Sequence, residues 1–353
     1  MSEAVRQFTV AADGVRHFVV ADDDDGVRLD RWFKRHLPQI GFATVSRWTR
    51  TGQIRVDGKR AAPEDRLATG QTLRVPPGGA LPERKGAPPR KALSEAQIAQ
   101  AEAMVLTQDR AAIVLNKPPG LATQGGTGTK EHVDGLLDAF ALEGGPGGTN
   151  NAPRPRLVHR LDKDTSGVLL IARTPGSAAY FSKRFSGRSA RKTYWALVAG
   201  VPKVRQGRVS TYLAKDEEAQ AVHEAKMKIA EHGDEGAQHA LTYYAVIEKV
   251  SRICSWVSLK PVTGRTHQLR AHMAHIGNPI VGDAKYFDRN DWELPPGLQN
   301  KLHLMARRIR IPHPRGKGII DVSAPLPPHM KQTWSVLNFD ADHYDPINDS
   351  PEE

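Results

Sequence analysis

The nine residues His159 to Gly167, together with the apolar run Val168 to Ala172 that follows them, constrain the fold of this chain most. The apolar run has the length and composition of a buried β-strand. The polar residues before it are turn-like and place Asp162 between Arg160 and Lys163. A turn that feeds a core strand is rigid enough to hold a reactive side chain, and nearby cations keep a carboxylate ionised. Asp162 is therefore a candidate for chemistry, and a solvated turn without function is the alternative.

Length and composition describe a soluble chain of two domains. The 353 residues exceed one ordinary domain, and the 39% hydrophobic and 25% charged content is typical of globular proteins. No run of 18 apolar residues is present, and the first 25 residues lack the apolar core of a signal peptide. With Cys254 as the single cysteine, an intrachain disulfide is excluded. We expect a cytoplasmic protein without membrane contact, and a monomer as the default.

The charge of the chain favours a polyanionic partner. The net charge is +11, although the segment 340–353 holds six acidic residues and no Lys or Arg. The rest of the chain thus carries +17, the sum of +11 and those six charges. A surface of this sign attracts nucleic acid through phosphate contacts and counterion release. We expect segment 340–353 itself to be a disordered acidic tail.

Residues 26–76 read as a small basic domain. The spacing of Leu29, Trp32, Phe33 and Leu37 predicts an amphipathic helix, and a second helix is predicted over 43–50. A strand then runs into an Asp-Gly turn. The unit has eleven Lys or Arg against four Asp or Glu, which is the pattern of a phosphate-binding surface rather than of an evenly mixed solvated face. The cations assigned to RNA are Arg31, Lys34, Arg35, Arg47, Arg50 and Lys59.

This small unit resembles an S4 domain, the RNA-binding module of ribosomal protein S4 and of several RNA-modifying enzymes. The resemblance rests on Arg28-Leu29-Asp30 at its start and on Gly52 to Lys59 at its end. Ahead of it we expect an N-terminal segment, 1–25, with at most a short strand near 16–20. Behind it, the Pro/Gly content and the Lys/Arg cluster of 77–103 predict a basic linker that ends in a short helix capped by Ser94.

The remaining residues, 104–339, form the second predicted domain. Besides the central strand, the pattern predicts a strand over 191–200 with Tyr194 near its start, and a hairpin over 241–259. A turn at Thr263-Gly264 precedes a helix whose N-terminal end offers Arg265 and His267. His267, His272 and His275 suggest a metal site, but no Cys or carboxylate completes the set, so we expect no metal. From the strands alone the fold class is α+β.

Three separated motifs resemble the pseudouridine synthases of the bacterial ribosomal large subunit group. They are the stretch from His159 to Gly167, Lys192-Thr193-Tyr194, and Thr263 to Arg270. Asn116 to Gly120 and the stretches 302–303, 313–314 and 324–327 also match, and the resemblance covers roughly 104–335. The synthase C type is the most similar. The chain departs from the family in a longer, charged and irregular segment at 215–236, and in Phe287, where glycine is more common.

The resemblance implies a fold, a reaction and a set of roles. The fold is a mixed, mainly antiparallel sheet with flanking helices. The reaction is the cofactor-free isomerisation of uridine after base flipping, with Asp162 as nucleophile. Arg265 would pair with Asp162, and Tyr194 would lie against the uracil and could take the C5 proton. The side chains assigned to RNA in this domain are Arg160, Lys117, His267 and Arg270. Lys117 could instead shape its own loop.

The expected substrate is 23S ribosomal RNA, bound by the S4-like domain and the catalytic cleft. Transfer RNA with the same chemistry is one alternative. A non-catalytic RNA-binding factor for ribosome assembly is the other, and the presence of Asp162, Tyr194 and Arg265 together argues against it.

Overall fold

A computed structural model describes residues 8–10, 14–78, 92–126, 131–141, 154–187, 189–217, 226–287, 292–314, 316 and 318–348. By contacts the chain falls into two compact units. The first consists of 1–92, 140–156 and 172–182, and the second of 93–139, 157–171 and 183–353. Each unit is described by itself.

The first unit contains a five-stranded sheet and two helices. The strands follow the order β1-β2-β5-β3-β4, and neighbours are antiparallel. Both predicted helices are confirmed, because their apolar side chains pack on one shared core. The strands are β1 Phe8–Val10, β2 Arg16–Val19, β3 Arg55–Val56, β4 Lys59–Arg60 and β5 Thr72–Val75, and the helices are α1 Leu29–His36 and α2 Phe42–Arg50.

The start of this unit differs from the prediction. Residues before 26 were expected to lie outside the small domain, yet β2 pairs with β5 and Val15 and Phe18 are buried. The reason is that an antiparallel sheet of β3 and β5 alone would leave its edge unpaired. The Asp-Gly turn between β3 and β4 is confirmed, with positive φ at both Asp57 and Gly58.

The second unit is built on an eleven-stranded sheet. Its main path is β12-β11-β13-β14-β10-β15-β9-β7-β6, with β16 on β15 and β8 on β9. The pairings given by register are antiparallel except β15 with β9, which confirms a mixed, mainly antiparallel sheet. The strands are β6 Val105–Gln108, β7 Ala112–Lys117, β8 Arg156–Leu157, β9 Ser166–Ala172, β10 Arg191–Ala199, β11 Gln206–Lys215, β12 Met227–Ala230, β13 Gln238–Val250, β14 Cys254–Pro261, β15 Leu304–Pro312 and β16 Ile319–Ser323.

The further helices belong to this part of the chain, except that residues 175–182 of the helix Pro175–Ser186 fall in the first unit. Their bounds are α3 Glu95–Ala103, α4 Val133–Leu136, α5 Pro175–Ser186, α6 Gln268–His275 and α7 Pro328–Leu337. Ser94 caps α3 through a reciprocal capping box with Gln97. The predicted linker is therefore too long at its end, because α3 belongs to the second unit. Residues 79–91 of that linker lie outside the described residues.

Strand β9 is the predicted central strand, and all seven of its residues are buried. Gly167 lies beside Ala306 where β9 runs parallel to β15. A Cβ at this glycine would sit 2.1 Å from the carbonyl oxygen of Ala306, and its φ is 100°. Only glycine fits such an approach. The strand thus enters the sheet at a fixed position immediately after the Asp162 turn.

Two further expectations are corrected by the structure. The segment 215–236 is not irregular throughout, since β12 pairs with β11. Residues 340–348 are ordered rather than a disordered tail: Asp345 is buried and accepts hydrogen bonds from Trp195 Nε1 and Ser258 Oγ, both at 2.8 Å. Its other oxygen caps two backbone N–H groups. A buried carboxylate with four donors anchors the segment. Residues 349–353 lie outside the described part.

Candidate active site

Hydrogen bonds from Thr123 and Lys117 hold the main chain of the turn that carries Asp162. The hydroxyl of Thr123 donates to the carbonyl of Leu161 at 2.6 Å and accepts the N–H of the same residue at 3.1 Å. The ammonium of Lys117 donates to the carbonyl of Lys163 at 2.9 Å. The main chain is therefore held on both sides of Asp162, which fixes where its carboxylate points.

The carboxylate of Asp162 faces two side chains of the 263–270 stretch. Its Oδ2 lies 3.9 Å from Nη1 of Arg270 and 4.0 Å from Nε2 of His267. Arg270 also forms a bidentate ion pair with Asp283, with N···O distances of 2.7 and 2.6 Å. The side chain of Asp283 is fully buried, whereas that of Asp162 is 21% exposed. Arg270 thus contacts two carboxylates, the buried Asp283 and the partly exposed Asp162.

Tyr194 stands on β10 beside the same cavity. The register of β10 against β15 shifts between Thr193 and Tyr194, which is a β-bulge that re-aims the side chain. Burial, and next the charge of Asp162, raise the pKa of Tyr194 above its usual range. The raised pKa favours the neutral phenol in the absence of substrate.

The cavity between these residues has a volume of about 480 Å³ and is lined by side chains of both signs. That volume falls in the range of sites for small ligands. Its walls include His159, Arg160, Lys192 and Leu304, in addition to Asp162, Tyr194 and the stretch 261–270. A single anionic side chain, Asp162, lines it among cations, so the cavity suits a substrate that carries phosphate.

Comparison with known proteins identifies the family of this chain. The model of the RNA pseudouridylate synthase family matches residues 111–275, which hold the Asp162 turn, Tyr194 and α6. The ribosomal large subunit pseudouridine synthase C of Vibrio cholerae is 32% identical over 327 residues, covering 91% of this chain and 96% of that protein. This chain belongs to the RNA pseudouridylate synthase family. It is an RNA pseudouridine synthase.

Other relatives agree with this assignment. The ribosomal large subunit pseudouridine synthase C of Haemophilus influenzae is 32% identical and covers 92% of this chain and 95% of that protein. The solved structure of human RNA Pseudouridylate Synthase Domain Containing 4 matches with a TM-score of 0.56 and 27% identity, covering 69% of this chain and 97% of that chain. The α+β fold expected for a pseudouridine synthase is thus confirmed.

The arginine beside Asp162 is not the one that the motif suggested. Arg265 is exposed and lines the cavity, but its Nε donates to the carbonyl of His239 at 3.1 Å. Arg270, one turn further along the chain, takes the place beside Asp162. The predicted Arg265–Asp162 pair is therefore wrong, since the Arg265 side chain is directed to the carbonyl of His239 and Arg270 pairs with Asp162.

Lys117 is not available to RNA. It is fully buried, and its ammonium donates to the carbonyls of Pro118, Leu121 and Lys163 at 2.8–2.9 Å. These three acceptors match the three hydrogens of an ammonium. Burial lowers the pKa of Lys117 to about 7, while the charges of Asp164 and Asp162 act in the opposite direction. The alternative reading, in which Lys117 shapes its loop, is the one that the contacts favour.

The other residues of the second unit assigned to RNA divide into two groups. Arg160 is exposed at the cavity wall and remains free to meet a phosphate. His267 lines the cavity too, but its exposed fraction is only 10% and it faces Asp162. Arg270 is 7% exposed and is occupied by two carboxylates, so its assignment to RNA is corrected.

The basic residues predicted in the first unit are exposed. Arg31, Lys34 and Arg35 lie on α1, and Arg47 and Arg50 on α2, away from the apolar core. Lys59 is exposed on β4. Arg35 pairs with the buried Asp24 at 2.6 Å and is therefore less available to a ligand. The remaining five keep the placement that a phosphate-binding face requires, and their role is a proposal.

Sequence reasoning missed several residues that organise the site. Gln268 accepts from Thr263 Oγ1 and Arg265 N–H and donates to Leu241 and Thr242, which ties the start of α6 to β13. Asp283, which holds Arg270, and Tyr286, which contacts His267, were assigned no role in the site from the sequence. Lys192 lines the cavity, and its position two residues before Tyr194 on a strand was a usable signal.

Within the described ranges, no group of three or more His, Cys, Asp or Glu side chains is placed to hold a metal ion. The same ranges contain no helix that is both long and apolar enough to cross a membrane.

Proposed function

We propose that this synthase isomerises uridines of 23S ribosomal RNA to pseudouridine without a cofactor, with Asp162 as the nucleophile. The observation that carries this proposal is the position of the Asp162 carboxylate: it is fixed by its turn, it reaches an open cavity, and it lies beside a cation that is itself held in place. Relatives named for the ribosomal large subunit support the choice of RNA.

The isomerisation requires bond exchange at C1′ and a cavity that accepts a flipped nucleoside. The bond between N1 and C1′ breaks, the uracil turns, and C5 forms the new bond to C1′. C5 loses its proton and N1 gains one, so the product is an isomer of the substrate. The target atoms are inaccessible within a stacked helix, so the nucleotide must be flipped out. A cavity of about 480 Å³ is large enough for a flipped nucleoside.

Each side chain then has a distinct role. Asp162 supplies the carboxylate that attacks C1′ as the N1–C1′ bond breaks, and the carboxylate leaves again when C5 bonds to C1′. Arg270 stabilises that charge from 3.9 Å and is kept from rotating by Asp283. Tyr194 lines the cavity, packs against the uracil and is the candidate to take the C5 proton. Arg160 binds a phosphate or fills the gap that the base leaves in its stack.

The first unit would supply affinity for the RNA as an S4-like module. Its exposed cations on α1 and α2 form the face for phosphate groups. Contacts of this kind position an RNA without reading its sequence. The choice of uridine therefore depends on the shape of the RNA and on the cavity.

One measurement tests reaction and substrate together. Pseudouridines in 23S ribosomal RNA are mapped by carbodiimide-dependent reverse-transcription stops in cells with the gene, without it, and with Asp162→Asn. Loss of the same few stops in the latter two strains is expected. Unchanged stops in 23S RNA with lost stops in transfer RNA would move the substrate to transfer RNA. Stops that persist with Asp162→Asn would overturn the role of Asp162.

A further inference from the structure

The hydroxyl of Tyr286 lies between a backbone N–H and the imidazole of His267. The N–H of Met227 donates to Tyr286 Oη at 2.8 Å, and His267 Nδ1 is 3.1 Å from the same oxygen. The two rings meet edge-on, with an interplanar angle of 88°. In the part of the chain that the structure describes, these are the polar partners of that hydroxyl.

This geometry fixes where the protons lie. A phenol has one proton to donate. Its oxygen accepts from Met227, and among the described residues His267 Nδ1 is the acceptor within reach, so this arrangement favours a phenol proton directed at Nδ1. An imidazole nitrogen that accepts a hydrogen bond carries no proton. The neutral ring of His267 must then carry its proton on Nε2.

The other ring nitrogen faces the reactive carboxylate. Nε2 of His267 lies 4.0 Å from Oδ2 of Asp162. His267 adopts a φ of 50°, in the left-handed region that non-glycine residues rarely occupy. Such backbone strain persists where the surrounding structure enforces it, and it concentrates at functional sites. The ring is therefore held at this position by its neighbours on both sides.

Burial is the main effect that favours the neutral form of His267. Asp162, Arg270, Lys285 and Asp283 are the charged groups that act on it, and Tyr286 is its titratable hydrogen-bond partner. Burial, which is the largest effect, and the cations Arg270 and Lys285 lower the pKa of His267, and the two carboxylates only partly offset this.

We infer that Tyr286 is a positioning residue that selects the Nε2–H tautomer of His267, so that a neutral N–H dipole faces the Asp162 carboxylate. This inference rests on the proposed function, because it gives Asp162 the reactive role. The opposite tautomer would turn a lone pair toward the carboxylate and repel it. An N–H dipole in this position stabilises the anion without adding a second cation beside Arg270.

The tautomer is measured directly by two-bond ¹H–¹⁵N correlation spectra of ¹⁵N-histidine-labelled full-length protein without RNA. The His267 signal among the 14 histidines is identified by its loss in His267→Gln. We expect Nδ1 to resonate as the unprotonated nitrogen and Nε2 as the protonated one. In Tyr286→Phe the signals shift toward a mixture of tautomers. A wild-type ring protonated on Nδ1 at neutral pH would overturn the inference.

Kinetics test whether the tautomer matters for the reaction. Single-turnover release of tritium from RNA labelled at uridine C5 should slow by roughly five- to tenfold in Tyr286→Phe, with RNA affinity unchanged. In the His267→Gln background the same substitution should have little further effect. Equal losses in both backgrounds would show that Tyr286 does not act through His267 and would overturn the inference.

Tyr243→Phe is the matched control, since Tyr243 is 38% exposed on β13 and the same hydroxyl is deleted. Its tautomer spectrum and its rate should equal those of the wild type. The spectrum needs neither RNA nor turnover, so it is independent of the proposed function. If wild-type protein shows the expected tautomer but releases no tritium from any RNA, the proposed function fails while the tautomer assignment stands.

Discussion

The Arg270 guanidinium approaches the Asp162 carboxylate to 3.9 Å with the one nitrogen that its ion pair with Asp283 leaves over. Burial lowers the pKa of Arg270, but its hydrogen bond and ion pair with Asp283, and next the charge of Asp162, raise it above its usual value overall. Its Cζ also lies over the ring of Tyr286, 5.2 Å from the ring centroid. The cation beside the nucleophile is therefore rigid on every side except the one that faces the cavity.

Arg270→Lys should slow isomerisation roughly 10²-fold in single-turnover tritium release. A lysine keeps the charge but cannot bind Asp283 with two parallel hydrogen bonds and still reach Asp162. Arg265→Lys is the matched control, because Arg265 is exposed and its side chain donates to the carbonyl oxygen of His239 rather than to a carboxylate among the described residues. Its rate should change by no more than about threefold. The reverse order of effects would restore Arg265 as the partner of Asp162.

His159→Gln should make the protein less sensitive to acid. His159 accepts the N–H of Leu170 at 2.8 Å and stacks on Phe185. Burial, and next the charge of Lys192, lower the pKa of His159 to about 3, from an ordinary value of 6.5. Between these two values the unfolded chain binds a proton that the folded chain does not. The free energy of unfolding therefore falls as the pH drops from 6.5 toward 3.

One titrating histidine contributes a slope of about 1.4 kcal/mol per pH unit in that window. Urea unfolding at several pH values should show a slope smaller by about this amount in His159→Gln, which keeps an acceptor for Leu170. His343→Gln, which replaces a histidine at an exposed position, is the matched control. Parallel curves for His159→Gln and wild type would contradict the assignment of a neutral buried imidazole.

Gly167→Ala should destabilise the second unit by about 2–4 kcal/mol, because the added methyl group meets the backbone of Ala306 and the φ of 100° is strained for alanine. Backbone atoms cannot move aside as a side-chain tip can. Gly176→Ala in α5 is the control, since its Cβ would have open space. Its urea midpoint should be unchanged or slightly higher. Equal midpoints for both variants would disprove the close approach of β9 and β15.

Local patterns predicted the parts of the site that a short stretch of chain determines. The Asp162 turn and β9 are contiguous, so polarity followed by a buried run was enough to find them. The helices of the first unit followed from the spacing of Trp32 and Phe33 with their neighbours. In each case one amphipathic element buries its own apolar face, and no distant residue has to be known.

Contacts between distant residues could not be predicted in this way. Arg265 and Arg270 are five residues apart, and either could be imagined beside Asp162 until the left-handed turn at His267 and the partner Asp283 are known. In the sequence, Lys117 looks the same as a lysine that binds phosphate. Only the fold shows that three carbonyl oxygens surround it.

The same limit applies to the acidic segment 340–353. Its composition suggests a solvated tail, because nothing local pairs with its carboxylates. Asp345 nevertheless finds Trp195 and Ser258 on two neighbouring strands, 150 and 87 residues away along the sequence. Composition measures the average character of a segment, and a single well-satisfied carboxylate is enough to anchor part of it.

The basic faces of α1 and α2 should set the salt dependence of RNA binding. Replacing Arg31, Lys34 and Arg47 together by Gln removes three exposed cations of the first unit. If each contacts a phosphate, the slope of log K against log salt should become shallower by about 2–3, and affinity at low salt should fall. Arg35 is left in place, because its pair with Asp24 at 2.6 Å supports the core of that unit.

The matched control replaces three exposed cations of the second unit, Lys203, Lys249 and Arg252, by Gln. Both triple variants lose the same net charge, so a general electrostatic effect would change both slopes equally. We expect only the first variant to change the slope measured by filter binding to a 23S RNA fragment between about 50 and 200 mM salt. Single-turnover rates at saturating RNA should stay close to wild type in both, since neither set touches the cavity. Identical slopes for the two variants would reject the S4-like face as the RNA-binding surface.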